Sequence, residues 1–144
     1  MSNYTHFEYK AGLSQVGQYQ LSGIPYVSGA IPVPNSNNGP ISVSFPQVTR
    51  FVTITNTVTS SASAILRVGF SALGVTGSGN GPGGSGTNNY FTLLPSASYT
   101  ADVRVTKIFL MGENVPTSAS IVAGLTGIST GSLQNNWSGS IGVR

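Results

Sequence analysis

From Phe45 to Phe70 the chain reads FPQVTRFVTITNTVTSSASAILRVGF, and its apolar pattern repeats every two residues. Across Thr49 to Thr55, Thr49, Phe51, Thr53 and Thr55 fall on one face of an extended strand, with Arg50, Val52 and Ile54 on the other. Across Ala64 to Phe70, Ala64, Leu66, Val68 and Phe70 share a face, with Ile65 and Arg67 opposite. Alternation of this kind, rich in β-branched residues, specifies strands. The intervening NTVTSSAS is small and polar, as expected of a turn between antiparallel partners. These two strands are therefore expected to form a central pair, with the other strands added around it.

The rest of the chain is punctuated in the same way. In residues 18–38, Pro25, Pro32 and Pro34 confine any strand to a short run or a sheet edge, because proline cannot donate to a ladder. Asn35 to Pro40 is a turn cluster. Ile41, Val43 and Phe45 alternate with serines until Pro46. Residues 71–89 are a low-complexity, glycine-rich segment, read as a surface loop. Gly79, Gly81 and Gly84 match G-x-G-x-x-G, yet no helix is expected to follow and no Lys-Ser/Thr closes a P-loop, so a phosphate cradle is rejected. Tyr90 to Leu94 is a short strand ahead of Pro95. In SASYTADVRV, Tyr99, Ala101, Val103 and Val105 oppose Thr100, Asp102, Arg104 and Thr106. After Thr106 the apolar parity changes to Ile108 and Leu110, which predicts a bulge or a bend where a strand passes between sheets. Gly112 to Pro116 is a turn, and Ala119, Ile121, Ala123 and Leu125 alternate after it.

Seven or eight short strands with glycine and proline turns indicate a sandwich or barrel. The expected class is all-β, a single eight-stranded antiparallel jelly-roll sandwich, which also limits exposed edges. Residues 1–17 form an N-terminal arm, 18–128 the jelly-roll domain with 71–89 as its surface loop, and 129–144 a tail packing on the domain or a neighbour.

Charge narrows what such a domain does. Charged residues are 6% of the 144, against about 25% in ordinary soluble domains, which suggests a surface largely covered by neighbours. The net charge of +3 comes from six scattered basic residues against three acidic ones, without the clustering of a nucleic-acid binder. No cysteine is present, so disulfides and thiolate metal sites are excluded. No run approaches the roughly 20 apolar residues of a membrane helix, and MSNYTHFEYK has no apolar core of a secretory signal. Use or assembly in the cytosol is expected.

The inventory for catalysis is small: His6, Glu8, Asp102 and Glu113 are the only histidine and carboxylates. General acid–base chemistry needs more than these dispersed groups, so no enzyme, cofactor or metal is expected. Solvated or salt-bridged roles suit Asp102 and Glu113 better. Tyr90 and Tyr99 are read as core and sheet filling. Arg50, Arg67 and Arg104, placed on the less apolar faces of their strands, either face solvent or form ion pairs across an interface. Phe7 and Tyr9 either anchor the arm or belong to a frayed terminus, and Trp137 folds back on the domain or anchors on a neighbour. These six, Phe7, Tyr9, Arg50, Arg67, Arg104 and Trp137, are the interface candidates.

The order of the motifs carries a resemblance. FEYKAG and YQLSGIPYVSG come first, then ISVSFPQVTRFVTITNT and ILRVGFSALGV; a glycine loop and NNYFTLLPSASYTADVRVTKIFLMG follow, then SASIVAGLTGI and NNWSGSIGVR. Over roughly residues 7–144 this resembles the single jelly-roll penton, or vertex, capsid proteins of large icosahedral double-stranded DNA viruses of the nucleocytoplasmic kind. The resemblance implies an eight-stranded jelly roll that closes the fivefold vertex as a homopentamer. Its implied partners are double jelly-roll major capsid proteins and other minor capsid proteins, in a virion assembled in the host cytoplasm. It implies no catalytic motif, no direct nucleic-acid contact and no membrane span. It puts the glycine loop at the outer surface or around the fivefold axis. The alternative is a carbohydrate-binding, lectin-like or fibre-tip jelly roll, with Tyr and Trp stacking on sugars.

Overall fold

The structure, a computed structural model, describes residues 23–77 and 88–132. Eight strands follow one another: β1 (Ile24–Val33), β2 (Ile41–Ser44), β3 (Gln47–Asn56), β4 (Leu66–Gly69), β5 (Tyr90–Leu93), β6 (Ser98–Ala101), β7 (Lys107–Gly112) and β8 (Thr117–Ser129). A one-turn helix, α1 (Ala72–Thr76), lies between β4 and β5, and 3-10 turns occupy Ser36–Asn38 and Thr130–Ser132. The strands form two antiparallel four-stranded sheets, ordered β1-β8-β3-β6 and β2-β7-β4-β5. The all-β sandwich expected from the alternation is thus present. Six of the seven steps between successive strands change sheet, and only β4 to β5 stays within one.

The period-two pattern turns one face of each sheet inward. Val52 and Ile54 of β3, with Ala119, Ile121, Ala123 and Leu125 of β8, meet Leu66 and Val68 of β4 and Ile108 and Leu110 of β7 in one buried cluster. Burial of such side chains is the main favourable term, about 1.5–3 kcal/mol each. The alanines at 119 and 123 alternate with Ile121 and Leu125, so small and large residues interdigitate with the opposite sheet.

Several expectations are corrected. The stretches at 49–55 and 64–70 are not a hydrogen-bonded pair: β3 lies between β8 and β6, and β4 between β7 and β5. The NTVTSSAS link carries the chain from one sheet to the other. Alternation identifies a strand's two faces but not its partner, and the partner here is set by the packing of the sheets.

The faces at the start of β3 also differ. Register shifts at Gln47/Thr49 and Thr49/Phe51 leave Arg50 as the extra residue of a bulge. Val48 and Thr49 are both buried, while Arg50, which shares parity with the core residues Val52 and Ile54, is only half-buried.

The strand expected through SASYTADVRV stops at Ala101, because the chain is diverted onto Thr49. The Thr49 hydroxyl donates to the Val103 carbonyl at 2.7 Å, the Val105 amide donates to that hydroxyl at 3.0 Å, and the Thr49 amide donates to the Val105 carbonyl at 3.0 Å. Residues 102–106 therefore cross between sheets, and β7 begins at Lys107 in the second one. The parity change after Thr106 lies at this crossing. Arg104 sits exposed in the crossing segment rather than on a strand face.

Within the segment expected as a surface loop, residues 72–76 are helical and packed on the sheet. Ser71 caps α1 by accepting from the Gly74 amide at 2.9 Å, and Val75 is fully buried. The expected tail start at 129 is also shifted, since β8 runs through Ser129 and a 3-10 turn follows. The proposed arm, residues 1–17, and Trp137 lie outside the described residues.

Candidate functional site

The two sheets present contrasting outer faces. On the β2-β7-β4-β5 sheet, Arg67 stands between Met111 of β7 and Thr92 of β5 in register. Gly69, two residues on, leaves room for α1: a Cβ there would meet Val75 at 3.2 Å. The helix therefore lies over β4 and β7, and Met111 and Val75 are both fully buried. Arg67 borders the helix. Its guanidinium lies 4.4 Å above the Tyr90 ring, donates to the Thr76 carbonyl at 3.2 Å, and pairs with Glu113 at 3.3 Å. It thus joins the end of α1, the start of β5 and the β7–β8 turn.

This is an internal tie. Arg67 is only 16% exposed at its side chain, and its partners belong to its own chain. Of the solvated and salt-bridged roles expected of Glu113, it takes the salt-bridged one. Replacing Arg67 by alanine is expected to cost about 2 kcal/mol, from lost packing, the ring contact and an unpaired carboxylate. Arg67→Met, which keeps the stem over the ring, is expected to lose less than half of that. Urea unfolding of the two variants beside the parent checks this, and equal losses would assign the effect to charge alone.

The central rows on the outer face of the β1-β8-β3-β6 sheet carry no charged side chain. These rows run Val27–Val122–Thr53–Thr100 and Ser120–Thr55–Ser98 across the strands. Thr53 and Thr100 share a hydroxyl hydrogen bond at 2.9 Å, as do Thr55 and Ser98. Val27 and Val122, side by side, are 69% and 41% exposed. No described helix covers this face. Sequence reading saw the threonines as one face of β3 but not the neighbours that make a continuous hydroxyl and valine surface, because those come from β1, β6 and β8.

Of the six interface candidates, Arg67 is engaged internally, Arg50 sits at the β3 bulge and Arg104 is exposed in the crossing to β7. The structure does not bring these three into one patch with shared partners. Phe7, Tyr9 and Trp137 lie outside the described residues.

Tyr90 and Tyr99, expected to fill the core or a sheet, both pack on sheet strands rather than deep in the core. Tyr90 lies on the outer sheet face beneath Arg67. Tyr99 is 43% exposed and rests on Phe91 at a centroid distance of 4.5 Å, so an edge strand of each sheet contributes one ring to the sandwich seam.

Among the described residues, the acids are Asp102, exposed, and Glu113, tied to Arg67, and no group of three His, Cys, Asp or Glu gathers. No helix among them is long and apolar enough to cross a membrane. Compared with known proteins, the chain matches no family model, no curated protein and no solved structure.

Proposed function

We propose that this chain is a structural virion protein, a penton that closes icosahedral fivefold vertices as a homopentamer. Its partners in that role are double jelly-roll major capsid proteins and other minor capsid proteins. It then works in the virion, at the capsid vertex, after assembly in the host cytoplasm. One fold serves many functions, so architecture alone does not assign this one. What supports the reading is the order of motifs along the chain, together with the β1-β8-β3-β6 and β2-β7-β4-β5 strand order. The single observation that carries it furthest is the uncharged rows of valine, threonine and serine on the outer face of the β1-β8-β3-β6 sheet, which no described helix covers, on a chain with only 6% charged residues. A lone subunit gains nothing from such a surface, whereas a closed ring of heterologous contacts covers two different faces of each copy.

Native mass spectrometry or light scattering of the purified chain tests the proposal. The expected species has five times the 14.8 kDa chain mass. A trimer would overturn the vertex reading in favour of a fibre head. A monomer that binds on a glycan array would replace it with the carbohydrate-binding alternative.

A further inference from the structure

We propose that Asn38 is a site of spontaneous self-modification, converting to aspartate and isoaspartate through attack by its own backbone. Among the described residues, Asn38 alone precedes a glycine. It ends the 3-10 turn Ser36–Asn38 in the connection between β1 and β2 and is exposed. Its carboxamide nitrogen reaches one partner, the Asn35 side-chain oxygen, at 3.5 Å. That is the outer limit of a hydrogen bond, so the group is free to turn. Gly39 follows at φ 75°, and nothing stands within 4 Å of where its Cβ would be. Gly39 thus carries no side chain beside the attacking nitrogen, and its Cβ position is open.

The reaction balances with water as its only co-reactant. The Gly39 amide nitrogen gives up its proton to solvent base and bonds to Cγ of Asn38. The Cγ–Nδ2 bond breaks, ammonia leaves, and a five-membered succinimide forms. Water then adds to either ring carbonyl, giving aspartate, or isoaspartate with the main chain routed through the side-chain carbon. No oxidation or reduction takes place. A neutral amide becomes a carboxylate, so the formal net charge of the chain falls from +3 by one unit.

Asn56 shows the contrasting state. It is buried, its amide nitrogen donates to the Ala64 and Leu93 carbonyls at 2.7 and 3.1 Å, and its oxygen accepts from the Val58 amide. A carboxamide held on three sides cannot rotate towards the following nitrogen, so the structure separates a reactive asparagine from a protected one.

Incubating the full chain in mildly alkaline buffer beside a synthetic peptide of residues 35–40 tests this. Tryptic mapping is expected to show the peptide ending at Arg50 gaining about 1 Da at Asn38. Part of the product should be labelled by an isoaspartyl methyltransferase. The sequence's other Asn-Gly, at Asn80, falls in the tryptic peptide after Arg67, so the two read separately. Asn38→Gln is expected to abolish the gain at this position. Gly39→Ala should slow it at least about tenfold, because a methyl crowds the nitrogen and resists positive φ. Asn38 remaining intact in the folded chain while the peptide converts completely would overturn the proposal. So would conversion confined to Asn35 or Asn37.

Discussion

Replacing Asn56 by alanine is expected to lower the free energy of unfolding by about 3–4 kcal/mol, a large share of a small domain's stability. Asn56 ends β3, is fully buried, and binds the Ala64 carbonyl ahead of β4 and the Leu93 carbonyl at the end of β5. Its main chain is also held, the amide donating to the Ala97 carbonyl and its carbonyl accepting from Ser96, both at 3.0 Å. One residue thus ties the end of a strand in one sheet to two segments of the other. Alanine would take from two buried carbonyls the donor that Asn56 supplies and leave a cavity beside them, each group left unsatisfied costing about 1–3 kcal/mol.

Asn56→Asp adds a pH signature. A buried carboxylate facing two carbonyls has its folded-state pKa raised above the unfolded value of about 3.9. The variant is therefore at its most stable below that unfolded value. It loses stability as the pH rises from there through the raised folded value, and levels off above it. Urea unfolding across the acid range is the measurement. A pH-independent difference from the parent would show that the carboxyl reaches water. Thr53→Ala, which removes an exposed hydroxyl pair with Thr100, serves as control and is expected to cost under about 1 kcal/mol.

Gly112→Ala is expected to destabilise by about 3 kcal/mol and to lower the Tm by about 10 °C. Three segments converge on this glycine. It ends β7 opposite Leu66, its amide donates to the Pro34 carbonyl at 2.8 Å, and it forms a parallel bridge with Asn35. An added Cβ would meet the Val115 carbonyl oxygen at less than contact distance and the Pro34 oxygen at 3.2 Å. Both are backbone atoms, which cannot swing aside as a side chain would. The β7–β8 turn or the corner after β1 must move instead. Gly29→Ala is the matched control: nothing lies within 4 Å of its Cβ position, and a change within about 0.5 kcal/mol is expected. Equal thermal shifts for the two would show that the close approach at Gly112 contributes nothing.

The strands themselves were legible because burial of one sheet face writes a two-residue period into the sequence. Ala119, Ile121, Ala123 and Leu125 are all buried on β8, Leu66 and Val68 on β4, and Ile41 and Val43 are half-buried on β2. The edge position of the proline-containing β1 was equally legible, since Pro25 and Pro32 cannot complete a ladder on both sides. Thr49 was misread for the opposite reason. Its burial follows from hydrogen bonds to Val103 and Val105, more than fifty residues away, which no local pattern records.

The interface candidates divide along the same line. Low overall charge already pointed to a covered surface, and the uncharged central rows on the outer face of the β1-β8-β3-β6 sheet are where the described residues concentrate that property. Arg67 stood out as one of few charges, yet its engagement with Tyr90, Thr76 and Glu113 depends on α1, β5 and the β7–β8 turn arriving beside β4. The local sequence around Arg67 contains none of those partners.

By itself the sequence determined an all-β chain with its strands, turns and inward faces, because alternation, proline and glycine act within a few residues. Tertiary structure alone decided that the two strongest strands lie in different sheets, that Asn56 and Gly112 hold the crossings, and that α1 caps one outer face while no described helix covers the other. Those outcomes depend on contacts between residues distant along the chain, whose choice among equally patterned strands is made only when the sheets pack.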